Sequence, residues 1–445
     1  RWGVPLLATQ PWRSGTEADW TQSPMGLPLS DVPYYLAQPE GAGAVDPVLV
    51  TATAERGRRT VLIERQAQAV VGRVQRLLAL QERPRAQRAL VAMVYNYPPG
   101  GSNFGASFLN VPRSLQRVSG ALAQAGYATQ EVPEGDWIAG LQPLLAAYYP
   151  DATLRSLLEQ DRAEALPLAR YRQFFDALPQ EVRARIQAHW GPPERSRYVL
   201  DWQGEPVFVI PRMRVGTLAV LPQPPREETL RLGQNPFMHK SKAPLSHHYL
   251  AVYLWAQLEA DALIHFGTHG TQEWAGGKAR ALDVHDDALL PLGDLPVVYP
   301  YIVDNLGEAL TAKRRGRAVL VSHRTPVFAP AGFAARMAHM HEVMHEWETV
   351  DEGPTRRALE KQLVAQFVEH QLHRDLGWSA ERIAADFHGF LEILHPYLDQ
   401  LAQSSQPKGL AVFGRVPAPE QRRETILQAL RKPLIEALGE DIDEA

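Results

Sequence analysis

Residues 265–274 read HFGTHGTQEW, which sets His265, His269 and Glu273 at four-residue intervals with Gly267 and Gly270 between them. Imidazole and carboxylate both ligate divalent metals and both accept protons near neutral pH. The competing reading is a polar turn. A second stretch, HEVMH (341–345), matches the HExxH zinc-hydrolase pattern and puts His341 and His345 on one helical face. Glu369 is the candidate third ligand there. His339 precedes the motif and the charged Glu346 follows it, so a solvated helix face competes with the zinc reading. A third stretch, NYPPGGSNFGAS (96–107), is a glycine-rich loop whose backbone N–H groups can face an anion. It has neither GxGxxG nor GK(S/T), and a tight strand-to-helix turn explains it equally well.

These stretches need elements to position them. VAMVYNY (91–97) reads as a buried strand ahead of the glycine-rich loop, and VPRSLQRVSGALAQAG as a helix stopping at Gly126. YATQEV is the next expected strand, and this order implies a parallel α/β sheet. Ile63, Ala67, Val70, Val74 and Leu77/Leu78 are spaced for an amphipathic helix over 61–81. After FVIP and TLAVLPQ (207–223) return to strand character, SHHYLAVYLWAQLE reads as a helix and ADALIHFG as an apolar, central strand. His265, His269 and Glu273 then lie at or just past its carboxyl end, where open α/β sheets bind ligands. His247 and His248, one helix upstream, can face the same crevice. VVYPYIVDN, the helix LGEALTAKRRG and the strand RAVLVSH follow, and from about Ala331 the chain is mostly helical. The expected divisions are 1–140, an α/β unit with the NYPPGG loop; 141–205, a helical insertion; 206–330, an α/β unit with HFGTHGTQEW; and 331–445, helical.

With 445 residues, the chain is too long for one ordinary core. A net charge of -4 gives no global attraction to nucleic acid or anionic membrane. No apolar run reaches the length of a membrane span. The absence of cysteine excludes disulfides and thiolate metal sites, so a metal here must be met by His, Asp, Glu or backbone oxygen. A cytoplasmic setting is compatible with that. The chain opens mid-pattern at Arg1 and GVPLL, and a fragment of something longer is expected.

Taken together, several stretches resemble the large subunits of the ATP-dependent tetrapyrrole chelatases, the family of cobaltochelatase CobN and the H-type large subunit of magnesium chelatase. NYPPGGSNFGASFLNVPRSL is similar to that family's NYPPG…GxAxxLNxPxSL, and HFGTHGTQEWAGGK to its H(F/V)GxHGxxE(W/F)xPGK. GDLPVVYPYIVDNLGEALTAKRRGRAVLVSHRTP is similar to GDLPxxYPYIVNNPGEGxxAKRRGxAVxIxHLTP, and GVPLL…GLPLSDV to GVPVxQ…GLSPxDV. The matches keep their order across almost the whole chain. AGGK (275–278) departs from xPGK, DVHDDALL from a stretch that often contains SxxCYPD, Asp304 and Leu306 from NNPGE, and HRTPV from HLTPP. These departures surround the site, so they bear on substrate and metal identity more than on membership.

The resemblance implies an α/β, multidomain chain with parallel β/α units and a mostly helical C-terminal part, a fragment of a larger chelatase subunit. It implies a porphyrin or corrin substrate and a divalent metal substrate, Co²⁺ favoured over Mg²⁺ or Fe²⁺. Trp274 in QEW leans to the cobaltochelatase side. ATP hydrolysis would belong to separate AAA+ ATPase subunits, which accounts for the missing Walker motif. Glu273, His269 and His265 carry over as the catalytic groups, with His269 and Glu273 meeting the metal. Tyr97, Asn103, Asn110, His247, His248 and Lys278 become candidate ring contacts. Lys313, Arg314 and Arg315 can pair with ring carboxylates, or else complete the dipole of a solvated helix end. Iron removal from haem, a tetrapyrrole sensor without catalysis, and a zinc hydrolase at HEVMH are the other readings.

Overall fold

The computed structural model describes residues 5–54, 59–95, 105–149, 153–226, 228, 243–267, 270–326, 328–330, 335–370, 372–403, 405–407 and 409–438. The chain divides into two compact units. The first is Arg1–Thr325 with Leu410–Pro417, and the second is Pro326–Gly409 with Ala418–Ala445.

The first unit is built on a six-stranded sheet. Its strands are β1 (Leu90–Val94), β2 (Met213–Val215), β3 (Leu218–Pro222), β4 (Ala262–Phe266), β5 (Val297–Ile302) and β6 (Ala318–His323). Their spatial order is β6-β5-β4-β1-β3-β2. All neighbours run parallel except β2 and β3. β1 and β3 are buried at every position, the uninterrupted apolar pattern of a sheet covered on both faces. Strands from the 1–140 and 206–330 segments therefore share one sheet. YATQEV (127–132) is not a strand. Its residues are exposed or half-buried up to the buried Val132, too polar for a central position, and the place beside β1 goes to β3.

Three helices matter to the site: α1 (Val111–Gln124), α2 (His247–Glu259) and α3 (Leu306–Arg315). Ser246 caps α2 by accepting from the Tyr249 N–H. Residues 247–256 of α2 are all buried, so this helix has no solvent face over that length. The helix expected over 61–81 spans Glu64–Glu82, because Thr60–Leu62 pair as a short strand. Its buried side carries Gln66 and Arg73, while Val74 and Leu78 of the expected apolar stripe are exposed. Arg73 and Arg317 both hold the buried Asp46 carboxylate, each at 2.9 Å. The 141–205 segment is helical but includes two strands, Ala163–Pro167 and Val199–Trp202, which form a three-stranded antiparallel sheet with Glu205–Pro211. Residues 410–417 return to the first unit. Ala411 bridges Leu109, accepts from the Asn110 N–H at 2.8 Å, and donates to Phe108 at 2.8 Å, while Phe413 packs on Phe266.

The second unit has its own apolar core, including Met340, Met344, Leu363, Phe367, Phe390 and Leu394. Two of its helices are α4 (Ala335–Thr349) and α5 (Phe387–Gln403). Among the described residues no helix is long and apolar enough to cross a membrane.

Candidate functional site

β1 and β4 are adjacent and parallel, with His265 opposite Met93. From β1 the chain proceeds toward β3 on one side, and from β4 toward β5 on the other. Such a reversal opens a crevice beyond the strand ends. Both glycine-containing motifs leave from here, NYPPGG after β1 and HFGTHGTQEW after β4. Gly267, at φ +113°, has a backbone that favours glycine, and a Cβ there would meet that of Ala106 at 2.2 Å. Residues 96–104, with Tyr97 and Asn103, lie outside the described residues, as do Thr268 and His269.

Glu273 sits in a one-turn helix, Gln272–Trp274, and is buried. Its Oε1 accepts from Tyr299 O–H at 3.0 Å and from the Gly270 N–H at 3.1 Å. Its Oε2 is buried with no hydrogen-bond partner among the described residues. Burial pushes the carboxyl up to about 7, against the opposing pull of the Tyr299 and Gly270 hydrogen bonds. A carboxyl with one fixed oxygen, one free oxygen and a proton affinity near neutrality is poised for proton exchange.

His265 is buried beside it, edge-on to Tyr299 with ring centroids 5.1 Å apart. Its Nε2 meets Tyr253 Oη at 3.0 Å, and its Nδ1 has no hydrogen-bond partner among the described residues. Burial pulls this imidazole down to about 3, so it is neutral throughout the physiological range.

A buried polar frame holds the turn. Gln223 Oε1 accepts from the Thr271 N–H at 3.2 Å, and Gln223 Nε2 donates to Tyr253 Oη at 3.1 Å. Tyr249 Oη and Thr271 Oγ1 lie 2.9 Å apart. A Cβ at Gly270 would come within 2.8 Å of Gln223 Oε1 and 3.0 Å of Tyr299 Oη, so only glycine fits the existing frame. Arg315, from α3, donates to the carbonyls of Glu273 at 2.9 Å, Ala275 at 2.6 Å and Lys278. One guanidinium thus spans the whole exit of the turn. Tyr299, Gln223, Tyr253 and Tyr249 were not singled out from sequence. Nothing in their spacing ties them to Glu273, since they arrive on separate strands and a helix; the signal was the alternation of Tyr299 and Tyr301 in VVYPYIV.

The remaining candidates are placed elsewhere. His247 uses both ring nitrogens, on Tyr171 Oη at 2.8 Å and Gly191 O at 2.9 Å. His248 stacks on Tyr198 with centroids 3.7 Å apart and bonds Val209 O through Nε2 at 3.2 Å. Asn110 caps α1 through the Arg113 N–H and donates to Glu134 at 2.9 Å. Arg314 makes a two-pronged pair with Glu40 at 3.0 and 2.8 Å. Lys313 is half-buried in the last turn of α3. Lys278 lies over the Trp20 ring, donates to Thr21 O at 3.0 Å, and lines an open cleft with Glu17, Arg65, Arg185 and Asp283. In the second unit His341 and His345 do share a face, but the third group within ligand reach is His395. Glu369 lines a separate groove with Arg357 and Lys361. Glu342 is 78% exposed and lies 3.9 Å from His339.

Residues 1–445 match the family described as CobN/Magnesium Chelatase. The aerobic cobaltochelatase CobN of Sinorhizobium sp is 30% identical over 100% of this chain and 34% of its own length. The H-type magnesium-chelatase subunit of Chlorobaculum parvum is 26% identical over 96% of this chain and 32% of its own. Among solved structures, the catalytic subunit of cobaltochelatase from Mycobacterium tuberculosis superposes with a TM-score of 0.70 at 27% identity, covering 96% of this chain and 36% of that one. The chain thus spans about a third of the length of the relatives it matches.

Proposed function

The chain belongs to the CobN/magnesium chelatase family, and from that membership we propose that it is the proton-accepting portion of a tetrapyrrole chelatase large subunit. Its substrates are a divalent metal ion and a metal-free ring, Co²⁺ and a corrin such as hydrogenobyrinic acid a,c-diamide. The observation that carries this reading is the buried Glu273 carboxyl beyond the ends of β1 and β4, with Oε2 left without a partner among the described residues.

Metal entry displaces the ring's N–H protons, one from a corrin, which binds as a monoanion, and two from a porphyrin, which binds as a dianion. Glu273 takes one at Oε2, while Tyr299 and Gly270 hold Oε1 and fix the carboxylate's direction. Burial gives this group a proton affinity near neutrality, so it can receive the proton and later pass it on. His265, held neutral by burial and with Nδ1 lacking a partner among the described residues, is assigned to hydrogen bonding within the crevice rather than to taking up a proton. His269, next to Gly270, is assigned with Glu273 to meeting the entering ion. Lys278, on its open cleft, is assigned to a ring carboxylate. ATP hydrolysis is assigned to separate AAA+ subunits.

The test is metallation by the full-length protein with its ATPase partners, ATP and Co²⁺, followed by absorption spectroscopy. Glu273→Gln, which cannot accept the proton, is expected to lower turnover by about 10²–10⁴-fold. Normal turnover in that variant would remove Glu273 from the role. Running the wild type in parallel with Mg²⁺ and protoporphyrin IX ranks the two metal and ring pairs.

A further inference from the structure

A set of ligating side chains gathers in the second unit. α4 presents His341 and His345 one turn apart, and α5 brings His395 against both. Their rings pack edge to face, with centroids 4.5 Å apart within α4 and 5.0 Å from each to His395. One nitrogen from each lies within 4.8 Å of the others. Nε2 of His341 and Nε2 of His395 are 3.1 Å apart. Two nitrogens bound 2.0–2.1 Å from one tetrahedral ion are separated by about 3.3 Å, so the two helices already hold this edge of a coordination polyhedron.

Glu348, near the end of α4, supplies what a ligand set needs behind it. Its carboxylate lies 3.3 Å from Nδ1 of His345 and 3.8 Å from Nδ1 of His395. A carboxylate on Nδ1 selects the tautomer that leaves Nε2 free for a metal and raises its basicity. The cluster is also reachable: His345 is 51% exposed and His395 27%. The unit's apolar core packs next to the cluster and includes Met340 and Met344 of α4 and Leu391 and Leu394 of α5.

We propose that His341, His345 and His395 form a binding site for a borderline divalent cation such as Co²⁺ or Zn²⁺, with Glu348 positioning two of the imidazoles. Three nitrogens suit such ions, and a fourth position toward solvent suits one that exchanges. The site binds an ion without hydrolysing anything. Glu342, where an HExxH hydrolase carries its base, is 78% exposed and turned toward His339.

Titration of the metal-stripped full chain with Co²⁺, followed by visible absorption, and with Zn²⁺ by competition tests the site. One saturable equivalent with the absorption of nitrogen-ligated tetrahedral Co²⁺ is expected at this cluster, apart from uptake at His269 and Glu273. His341→Gln and His395→Gln are expected to abolish it. His345→Gln, on the exposed side where misfolding is not at issue, is expected to do the same, and Glu348→Gln to weaken binding by about 10–100-fold. Glu369→Gln, in its separate groove, should bind as the wild type does. The proposal is overturned if the wild type takes up neither ion, if the tetrahedral Co²⁺ absorption survives the histidine substitutions, or if it is lost in Glu369→Gln.

Discussion

Imidazole and carboxylate come together at the end of β4 and again between α4 and α5, and the two surroundings are opposite. At the end of β4, Glu273 and His265 are out of reach of water, and each keeps one polar atom without a hydrogen-bond partner among the described residues. Between α4 and α5, His345, His395 and Glu348 are exposed enough to be hydrated, and their polar atoms approach one another. Burial in the first place changes proton affinity, raising the carboxyl to about 7 and lowering the imidazole to about 3. In the second place the side chains converge within reach of one ion, which makes a ligand set. The same residue types therefore suit different chemistry.

The contrast is broken most directly at Glu273. An unfolded glutamate titrates near 4.5 and this folded one near 7, so the folded state holds the proton more tightly between those values. Stability is therefore lost as pH rises through that window, by roughly 3 kcal/mol in all. Denaturation of wild type and Glu273→Gln at pH 4.5 and pH 8 should show the variant gaining about that much on the wild type. The buried His265 and His248, both lowered to about 3, work the other way. Their contribution is complete above 6.5 and is lost as pH falls below it, equally in both proteins, so it cancels. A pH-independent difference would mean that the carboxyl is not held protonated by burial.

Tyr299→Phe should have the next largest effect. It removes the O–H donor to Glu273 Oε1 and an acceptor for the Gly270 N–H. Urea denaturation at pH 8 should show a loss of about 1–2 kcal/mol, and the acid limb of any pH–activity profile should move upward. An unchanged protein would separate Tyr299 from the site. The smallest effect is expected at the other place. In the absence of metal, His345→Gln should change stability by less than about 0.5 kcal/mol, because its Glu348 contact is exposed. A loss above about 1 kcal/mol would make that cluster a structural element instead.

Sequence reasoning reached the parallel sheet because β1, β3 and β4 are apolar runs between glycine-bearing loops. It reached the position of Glu273 because a motif following such a strand must lie beyond its carboxyl end. YATQEV is expected as a strand from its place after a helix, but it is too polar for a buried place in this sheet. The frame around Glu273 was out of reach for a different reason. Tyr299, Gln223 and Tyr253 meet through the order of strands, and the pairings of β4 with β1 and β5 cannot be read from any window of sequence. His395 stands 50 residues past His345 and joins it only when α5 packs on α4. The apolar stripe of 61–81 was visible, but the buried Gln66 and Arg73 side was not, because their partners Leu49, Leu282 and Asp46 come from distant segments.

The return of the chain at residues 410–417 bears on how this protein can be made. The flank of α1 is completed by Ala411 and Phe413, which accept from Asn110, donate to Phe108 and to Ser114 Oγ, and cover Phe266 on the strand that leads to Glu273. During synthesis the ribosome must add 84 further residues, 326 through 409, before those partners emerge. Until then the edge of the first unit beside α1 is unfinished, and a chain terminated at residue 325 would stay so. The strand that leads to Glu273 is thus covered by a segment translated well after it.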